Sequence, residues 1–340
     1  MKRIMLVTNS LTGGGAERSM NLVANELAKR EWPISLVPIN SSPPDQIVPL
    51  CSVFPLNRQW KGNLLNTLTA FWKFHHVVSS WKPDIIVLNC DLPEMFGATL
   101  LGKHELLVVE HSSTPWGQRI LFGRIIRKIL IFRKAYFVAV ASHLRIWPSR
   151  KKPLAVLQNP LTPIRNSPPQ SSIEQIKRLV FIGRLSPEKR PDFALEISVQ
   201  TGIELKIIGN GALRTDLEKK CLQDGINVSF SGQIEDPWSE IRTGDLLIVP
   251  SAFEGDGLVV IEGLQHQIPM LLADIPDLRR FRFSDNNYCV DVPSFSAQVK
   301  NHLWKLQDLR IPDEISVPIV KSRSIEAVGL SWEKFLTGLH

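Results

Sequence analysis

The sequence predicts an α/β protein made of two doubly wound, parallel-sheet domains facing a cleft. Three observations predict it. Short apolar runs alternate with stretches whose apolar residues are spaced for a helix. The alternation halts at a proline-rich segment and then restarts. The 340 residues suffice for about two domains of roughly 100–200 residues each.

Taken in order, IMLV at 4–7 opens the chain as a buried strand. A secretory signal needs an apolar stretch of about 7–15 residues, longer than anything in MKRIMLVTNS. A Gly-rich turn follows, then a helix over 17–30. ISLVPI at 34–39, IIVL at 85–88, LLVVE at 106–110 and FVAVA at 137–141 read as further strands. Continuous apolar runs of this kind suit parallel strands covered on both faces. Helices fit 62–80 and 118–134. The segment 159–172, NPLTPIRNSPPQSS, holds four prolines in fourteen residues. It can continue neither a helix nor a central strand and is the predicted linker. Beyond it, strands at 179–183, 204–209, 228–232, 246–251 and 270–274 alternate with helices over 191–201, 213–224, 237–243 and 258–265. A terminal helix fits 331–339.

Composition narrows the function. Hydrophobic residues at 44% and charged residues at 21% make a folded, globular chain rather than a disordered one. Cys51, Cys90, Cys221 and Cys289 are scattered, with no CxxC pair, which argues against a zinc site or a disulfide framework and suits a reducing compartment. No apolar run reaches the ~18 residues of a membrane span. The net charge of +7 is uneven: residues 1–165 carry 21 Lys and Arg against 9 Asp and Glu, and the remainder 19 against 24. The basic first half implies an anionic partner: a membrane surface, a nucleic acid or a phosphorylated acceptor.

The C-terminal ends of parallel strands are where such sheets bind ligands. After LVFIG, closing on Gly183, come Arg184, Lys189 and Arg190, cations suited to a diphosphate that gains charge as it departs. After ELKIIG come Asn210 and Gly211, where glycine lets a ligand approach the backbone. Arg214 stands where a dinucleotide fingerprint wants its third glycine, which disfavours a nicotinamide dehydrogenase. The strongest signal follows LLIVPS: Glu254-Gly-Asp-Gly257-Leu258, then Glu262. The glycines strip the turn of side chains, and the helix starting near Leu258 offers free N–H groups and a positive dipole end to an anion. Glu262, about one turn further in, is placed to accept ribose hydroxyls. A carboxylate binds vicinal hydroxyls well and phosphate poorly, so a nucleoside–diphosphate–sugar fits better than bare phosphate.

These residues resemble glycosyltransferase family 4, retaining transferases with the GT-B fold of two Rossmann-like domains. The resemblance rests on SAFEGDGLVVIEG with its two glutamates, preceded by VFIGRLSPEKR and IIGNGALRTDLE. NSLTGGGAERSMNLVANEL, VVEHSS and LSWEKF are also similar to the family's first Gly-rich loop, the region of His111 and its closing segment. The resemblance implies an N-terminal acceptor domain over 1–165, a nucleotide-sugar domain over 166–322, and a helix over 323–340 packing back on the first domain. It implies that Arg184 and Lys189 hold the donor diphosphate, Glu254 contacts the transferred sugar, and Glu262 the ribose. N–H groups near Gly257 and Leu258 would meet phosphate or sugar, His111 would face the donor sugar, and Gly14 and Gly15 would let the first domain close on donor and acceptor. Two departures stand out: Gln267 replaces a glycine after the helix, so the helix must end without its usual left-handed glycine, and Asp256 takes a place often apolar or aromatic.

The implied reaction is same-face transfer, with Arg184, Lys189 and the helix N-terminus supplying most of the catalysis by stabilising the leaving diphosphate. The implied donor is UDP-linked, and the acceptor a lipid-linked or cell-surface glycan. No cofactor is implied, and no clustered Asp, His and Cys set predicts a metal. A sugar-nucleotide epimerase and a non-catalytic binding module are the competing readings. The segment 118–134, QRILFGRIIRKILIFRK, carries Arg119, Arg124, Arg127, Lys128, Arg133 and Lys134 with no acid, and reads as a basic amphipathic helix for an anionic membrane surface. Trp60, Trp72 and Trp81 with Lys61, Lys73 and Lys82 suggest a second interfacial patch. The implied location is cytoplasmic, peripheral at the inner face of the plasma membrane. No nucleic-acid module is present, and His75–His76, adjacent on a helix, point apart rather than toward one metal.

Overall fold

The structure is a computed structural model and describes residues 1–11, 13–41, 49–60, 64–164, 176–281, 288–289 and 313–339. Lys61, the start of the 62–80 helix and most of the predicted linker lie outside the described residues. The chain divides into two compact units, Met1–Thr162 with Arg323–His340, and Pro163–Ser322.

The first unit is built on β1 (Ile4–Thr8), β2 (Ile34–Pro38), β3 (Ser52–Val53), β4 (Ile85–Asn89), β5 (Glu105–Glu110) and β6 (Tyr136–Ala139). All pair in parallel, in the order β3-β2-β1-β4-β5-β6. β1, β2 and β4 are buried along their whole length, which is why they read as unbroken apolar runs rather than alternating ones. The helices are α1 (Gly15–Lys29), α2 (Leu64–Trp81), α3 (Asp91–Ala98) and α4 (Ile120–Phe132). Met20, Val23, Ala24 and Leu27 of α1 repeat at helical spacing and pack on one sheet face. α2, α3 and α4 cover the other through Phe74, Phe96, Ile126 and Leu130.

The second unit repeats the plan with β7 (Arg178–Ile182), β8 (Glu204–Ile208), β9 (Val228–Gly232), β10 (Asp245–Val249), β11 (Met270–Ala273) and the short β12 (Tyr288–Cys289). Its parallel order is β12-β11-β10-β7-β8-β9, the same progression as the first sheet listed from the opposite edge. Its helices are α5 (Pro191–Thr201), α6 (Arg214–Asp224), α7 (Leu258–Gln265) and α8 (Asp313–Ser322). The closing helix, α9 (Ile325–Thr337), belongs to the first unit: Val328, Trp332 and Leu336 are buried with α1, and Arg30 pairs with Glu333 at 3.0 Å.

Three elements differ from the sequence expectation. The predicted helix over 237–243 is a single 3₁₀ turn, Pro237–Glu240, because Ile241 returns to extended backbone. The closing helix starts at Ile325, capped by Ser324, whose hydroxyl accepts from the Ala327 N–H. α3 went unread because its eight residues contain Pro93 and are too short for a clear period.

Candidate active site

In the second unit the loops at the C-terminal ends of the strands gather most of the candidate residues. After β7, the buried Leu185 anchors a loop that turns through Pro187–Lys189, and Arg190 takes a left-handed conformation (φ 49°) to start α5 at Pro191. The Ala252 N–H donates to the Glu188 carbonyl at 2.8 Å, stitching this loop to the one after β10. That stitch brings Lys189 Nζ to 2.6 Å from Glu254 Oε1. The buried Glu254 carboxylate also accepts from Ser251 Oγ at 2.7 Å, and its own N–H donates to Asp277 Oδ2 at 2.9 Å. Lys189 and Glu254 therefore form one unit. Arg184 on the same loop is exposed and makes no ion pair among the described residues.

The glycines after β8 also have a steric role. Gly209 sits at φ +143°, where a Cβ would lie 1.9 Å from the Gly183 carbonyl oxygen. A Cβ on Gly211 would lie 2.3 Å from the Leu185 carbonyl oxygen. The Leu185 N–H donates to the Asn210 carbonyl at 3.0 Å, so the two loops run backbone against backbone. The exposed Asn210 folds its side chain onto the Gly211 N–H. Gly183 itself has ordinary room, with the nearest atom of Phe181 at 3.7 Å.

Gly257 caps α7 with φ 64°, a left-handed conformation that favours glycine, and Leu258 opens the helix. The Val260 and Ile261 N–H groups close on the Gly257 carbonyl at 2.9 and 3.2 Å, which leaves the N–H groups of Leu258 and Val259 without an intrahelical acceptor. Asp256 is buried and paired with Arg280 at 2.9 Å, which also donates to the Asp256 carbonyl. At the other end of α7, Gln267 adopts the left-handed conformation (φ 52°) in place of glycine, and the Ile268 N–H closes the turn on the Gly263 carbonyl at 3.0 Å. Gln267 Nε2 also donates to Asp313 Oδ1.

Glu262, on the buried side of α7, accepts from the indole Nε1–H of Trp238 at 3.2 Å. The Trp238 ring stacks on His266, centroids 4.8 Å apart and planes 9° from parallel. Burial holds the His266 imidazole below its ordinary range, so it stays neutral at pH 7. Trp238, Asp277 and Arg280 escape a sequence reading, because each acts through a partner distant in the chain.

In the first unit, Gly14 caps α1 in extended backbone (φ −78°), Gly15 is its first residue, and His111 follows β5, half-buried. Buried Glu17 in the first turn of α1 accepts from Asn9 Nδ2 at 3.0 Å.

The basic helix needs correction. Arg127 faces inward, with none of its surface exposed. Its guanidinium donates to both oxygens of Glu94 at 2.6 Å and to Glu110 Oε2 at 2.8 Å, while Trp116 Nε1 donates to Glu94 at 3.1 Å. Burial pushes the Glu94 carboxyl up to about 7 against the pull of Arg127, helped by Glu110 and Asp91. Arg133 is also turned inward, onto the Gly97 and Gly102 carbonyls. What α4 shows to solvent is Arg124 and Lys128 among exposed Leu121, Phe122, Ile125 and Phe132. Of the second patch, Trp81 is covered by Arg3 at 4.6 Å and Lys73 reaches back to the Leu56 carbonyl, whereas Trp60 and Trp72 are exposed. His75 contacts Thr99 and His76 stacks on Trp72.

Residues 164–308 match the family described as Glycosyl transferases group 1. A GalNAc-α-(1→4)-GalNAc-α-(1→3)-diNAcBac-PP-undecaprenol α-1,4-N-acetyl-D-galactosaminyltransferase of Campylobacter jejuni is 25% identical over 289 residues, 79% of this chain and 78% of that one. Among solved structures, a sucrose-phosphate synthase from Thermosynechococcus elongatus superposes with a TM-score of 0.81 at 16% identity, covering 100% of this chain and 99% of that one. HepE of Anabaena, solved with UDP and glucose, superposes with a TM-score of 0.77 at 16% identity over the full length of both. The fold is thus the GT-B fold of two parallel-sheet α/β domains. The match to the glycosyl transferases group 1 family spans residues 164–308, and the chain is a glycosyltransferase.

Proposed function

We propose that this glycosyltransferase moves a hexose from a nucleotide sugar, UDP-linked, to a hydroxyl of a lipid-linked or cell-surface glycan, with retention at the anomeric carbon and without a metal. The observation that carries the reading is the Lys189–Glu254 pair beside the N-terminus of α7. It puts a cation, a carboxylate and a helix dipole on adjoining loops of one domain. Lys189 and Arg184 would balance the diphosphate charge, Glu254 would contact the transferred sugar and Glu262 the ribose. In the step, the bond from the anomeric carbon to the diphosphate oxygen breaks. The acceptor oxygen bonds to that carbon on the same face and its proton passes to the departing phosphate. His111, Gly14 and Gly15 would serve the donor sugar and the acceptor.

The Campylobacter relative's name supports a polyprenyl-diphosphate-linked acceptor, and the HepE complex supports UDP. The exposed apolar stripe of α4, flanked by Arg124 and Lys128, supports docking on an anionic membrane at the inner face. No helix among the described residues is long and apolar enough to cross a membrane. The test is a screen of UDP-, GDP- and ADP-sugars with and without undecaprenyl-diphosphate glycans, in the presence of a chelator, with the product linkage read by NMR. An α-linked glycan from an α-linked UDP-sugar is expected. Conversion of free UDP-sugar to an epimer without any acceptor would replace the reading with an epimerase.

A further inference from the structure

We infer that Trp238 is a positioning residue for Glu262, and that it sets how strictly the protein distinguishes a ribonucleotide from a deoxyribonucleotide. The inference rests on the reading of Glu262 as the ribose carboxylate.

The last torsion of a glutamate side chain is broad, so a carboxylate on a helix swings unless something holds its plane. Here the indole N–H of Trp238 reaches Oε2 at 3.2 Å. The indole in turn is fixed from several sides. Pro237 starts its turn, and Asp236 caps that turn by accepting from the Trp238 N–H at 3.1 Å. His266, one turn beyond Glu262 on the same side of α7, stacks flat against the ring at 4.8 Å. Trp238 and Glu262 are both buried, so the contact is shielded from water. The turn carrying Trp238 is braced further: Glu240 pairs with Lys206, and Arg178 donates to the Glu240 carbonyl at 2.9 Å while holding Asp245. An indole is an N–H donor and nothing else. It orients the carboxylate without competing for the hydroxyl protons that the carboxylate accepts. A carboxylate held in one plane distinguishes a hydroxyl from a hydrogen at a fixed place; a swinging one compensates for the loss.

The experiment compares the dissociation constants of UDP, 2′-deoxy-UDP and 3′-deoxy-UDP for the full chain by calorimetry, with ADP or GDP and their deoxy forms substituted where they bind tighter. The wild type is expected to prefer the ribonucleotide by about 10- to 100-fold, the worth of a hydrogen bond to a charged group. Glu262→Gln flattens that ratio. Trp238→Phe keeps an aromatic face for the stack, removes the N–H together with the five-membered ring, and is expected to cut the preference about tenfold while the affinity for the deoxy form barely changes. His266→Leu removes the stack, leaves the hydrogen-bonding pair intact, and supplies the second reading: a smaller fall in the same ratio. A purely structural tryptophan would weaken all three ligands equally. If Glu262→Gln loses the preference and both Trp238→Phe and His266→Leu retain it, Trp238 is a core residue and the inference is overturned. If the wild type shows no preference, or Glu262→Gln keeps it, the ribose reading of Glu262 itself falls.

Discussion

The Lys189 ammonium lies 2.6 Å from Glu254 Oε1, so the two residues proposed to meet the donor hold one another in place. The pair is asymmetric: Glu254 is buried and Lys189 partly exposed, with side-chain exposures of 7% and 28%. An incoming diphosphate can approach the lysine from the solvent side while the carboxylate stays anchored by Ser251.

That asymmetry makes the outcome of Lys189→Ala specific. Removing a cation that stabilises a departing diphosphate costs on the order of 3 kcal/mol, about 10²-fold in kcat. Stability falls as well, because the Glu254 carboxylate loses its charged partner and keeps its hydrogen bond from Ser251. Glu254→Gln retains an acceptor for Lys189 and is expected to fold normally while losing turnover. Steady-state kinetics at saturating donor check both, and unchanged transfer by Lys189→Ala would remove the lysine from the mechanism.

The loop glycines give a contrast between neighbours. Gly211→Ala forces a methyl against the Leu185 backbone, which has no flexible end to yield. The expected loss is about 2–3 kcal/mol, as for an overpacked core. Gly183→Ala meets Phe181 only at van der Waals distance and should stay within about 0.5 kcal/mol of wild type. Urea unfolding of the two variants measures the difference. Equal effects would show that the β7 and β8 loops do not close on each other as described.

The buried cluster around Arg127 predicts a pH dependence with a definite sign. Burial raises the Glu94 carboxyl from an ordinary value of 4.5 to about 7. A group whose pKa is raised by folding stabilises the protein fully below its unfolded value, and that contribution is lost as pH rises through the folded value. Glu94 therefore works increasingly against folding between about pH 4.5 and 7. Glu94→Gln cannot ionise. Its stability relative to wild type should improve by on the order of 2 kcal/mol between pH 5 and pH 8, measured by denaturant titration at each pH. A flat difference across that range contradicts the assignment. Arg127→Met, which strands two carboxylates in the interior, should cost about 3–5 kcal/mol at neutral pH.

The strands were legible because burial on both faces writes itself as unbroken apolar runs, as in β1 and β4. The β10–α7 turn was legible because a left-handed N-cap favours glycine at 257. Arg127 was not, because its partners Glu94 and Glu110 stand 33 and 17 residues away, and helix periodicity cannot tell an inward charge from an outward one. The packing of Gly209 and Gly211 against the Gly183 and Leu185 carbonyls was not legible either, because sequence shows the missing side chain but not the backbone that approaches it. Trp238 was hidden in a turn too short to have a period.

The surface of α4 carries the last prediction. Leu121, Ile125, Lys128 and Phe132 follow i, i+4, i+7, i+11 and form one outward stripe, opposite the buried Gly123, Ile126, Arg127 and Leu130. Leu121 is 77% exposed and Phe132 87%, apolar surface of a kind that an aqueous helix face seldom presents together. Lys128 and Arg124 beside them have long apolar stems and charged heads, a combination that lets the helix lie at headgroup depth while the cations meet anionic lipid. The wild-type chain should float with phosphatidylglycerol-containing vesicles and do so less as salt rises. The double variant Leu121→Asp with Phe132→Asp should abolish flotation without lowering the melting temperature, since both side chains already stand in water. Arg124→Ala and Lys128→Ala should each weaken binding about fivefold, from roughly 1 kcal/mol per basic residue near the surface. Arg127→Lys, by contrast, should leave vesicle binding unchanged where it folds, because that charge never faces the lipid. Equal binding to neutral and anionic vesicles, or full binding by the double aspartate variant, would remove α4 from the membrane contact.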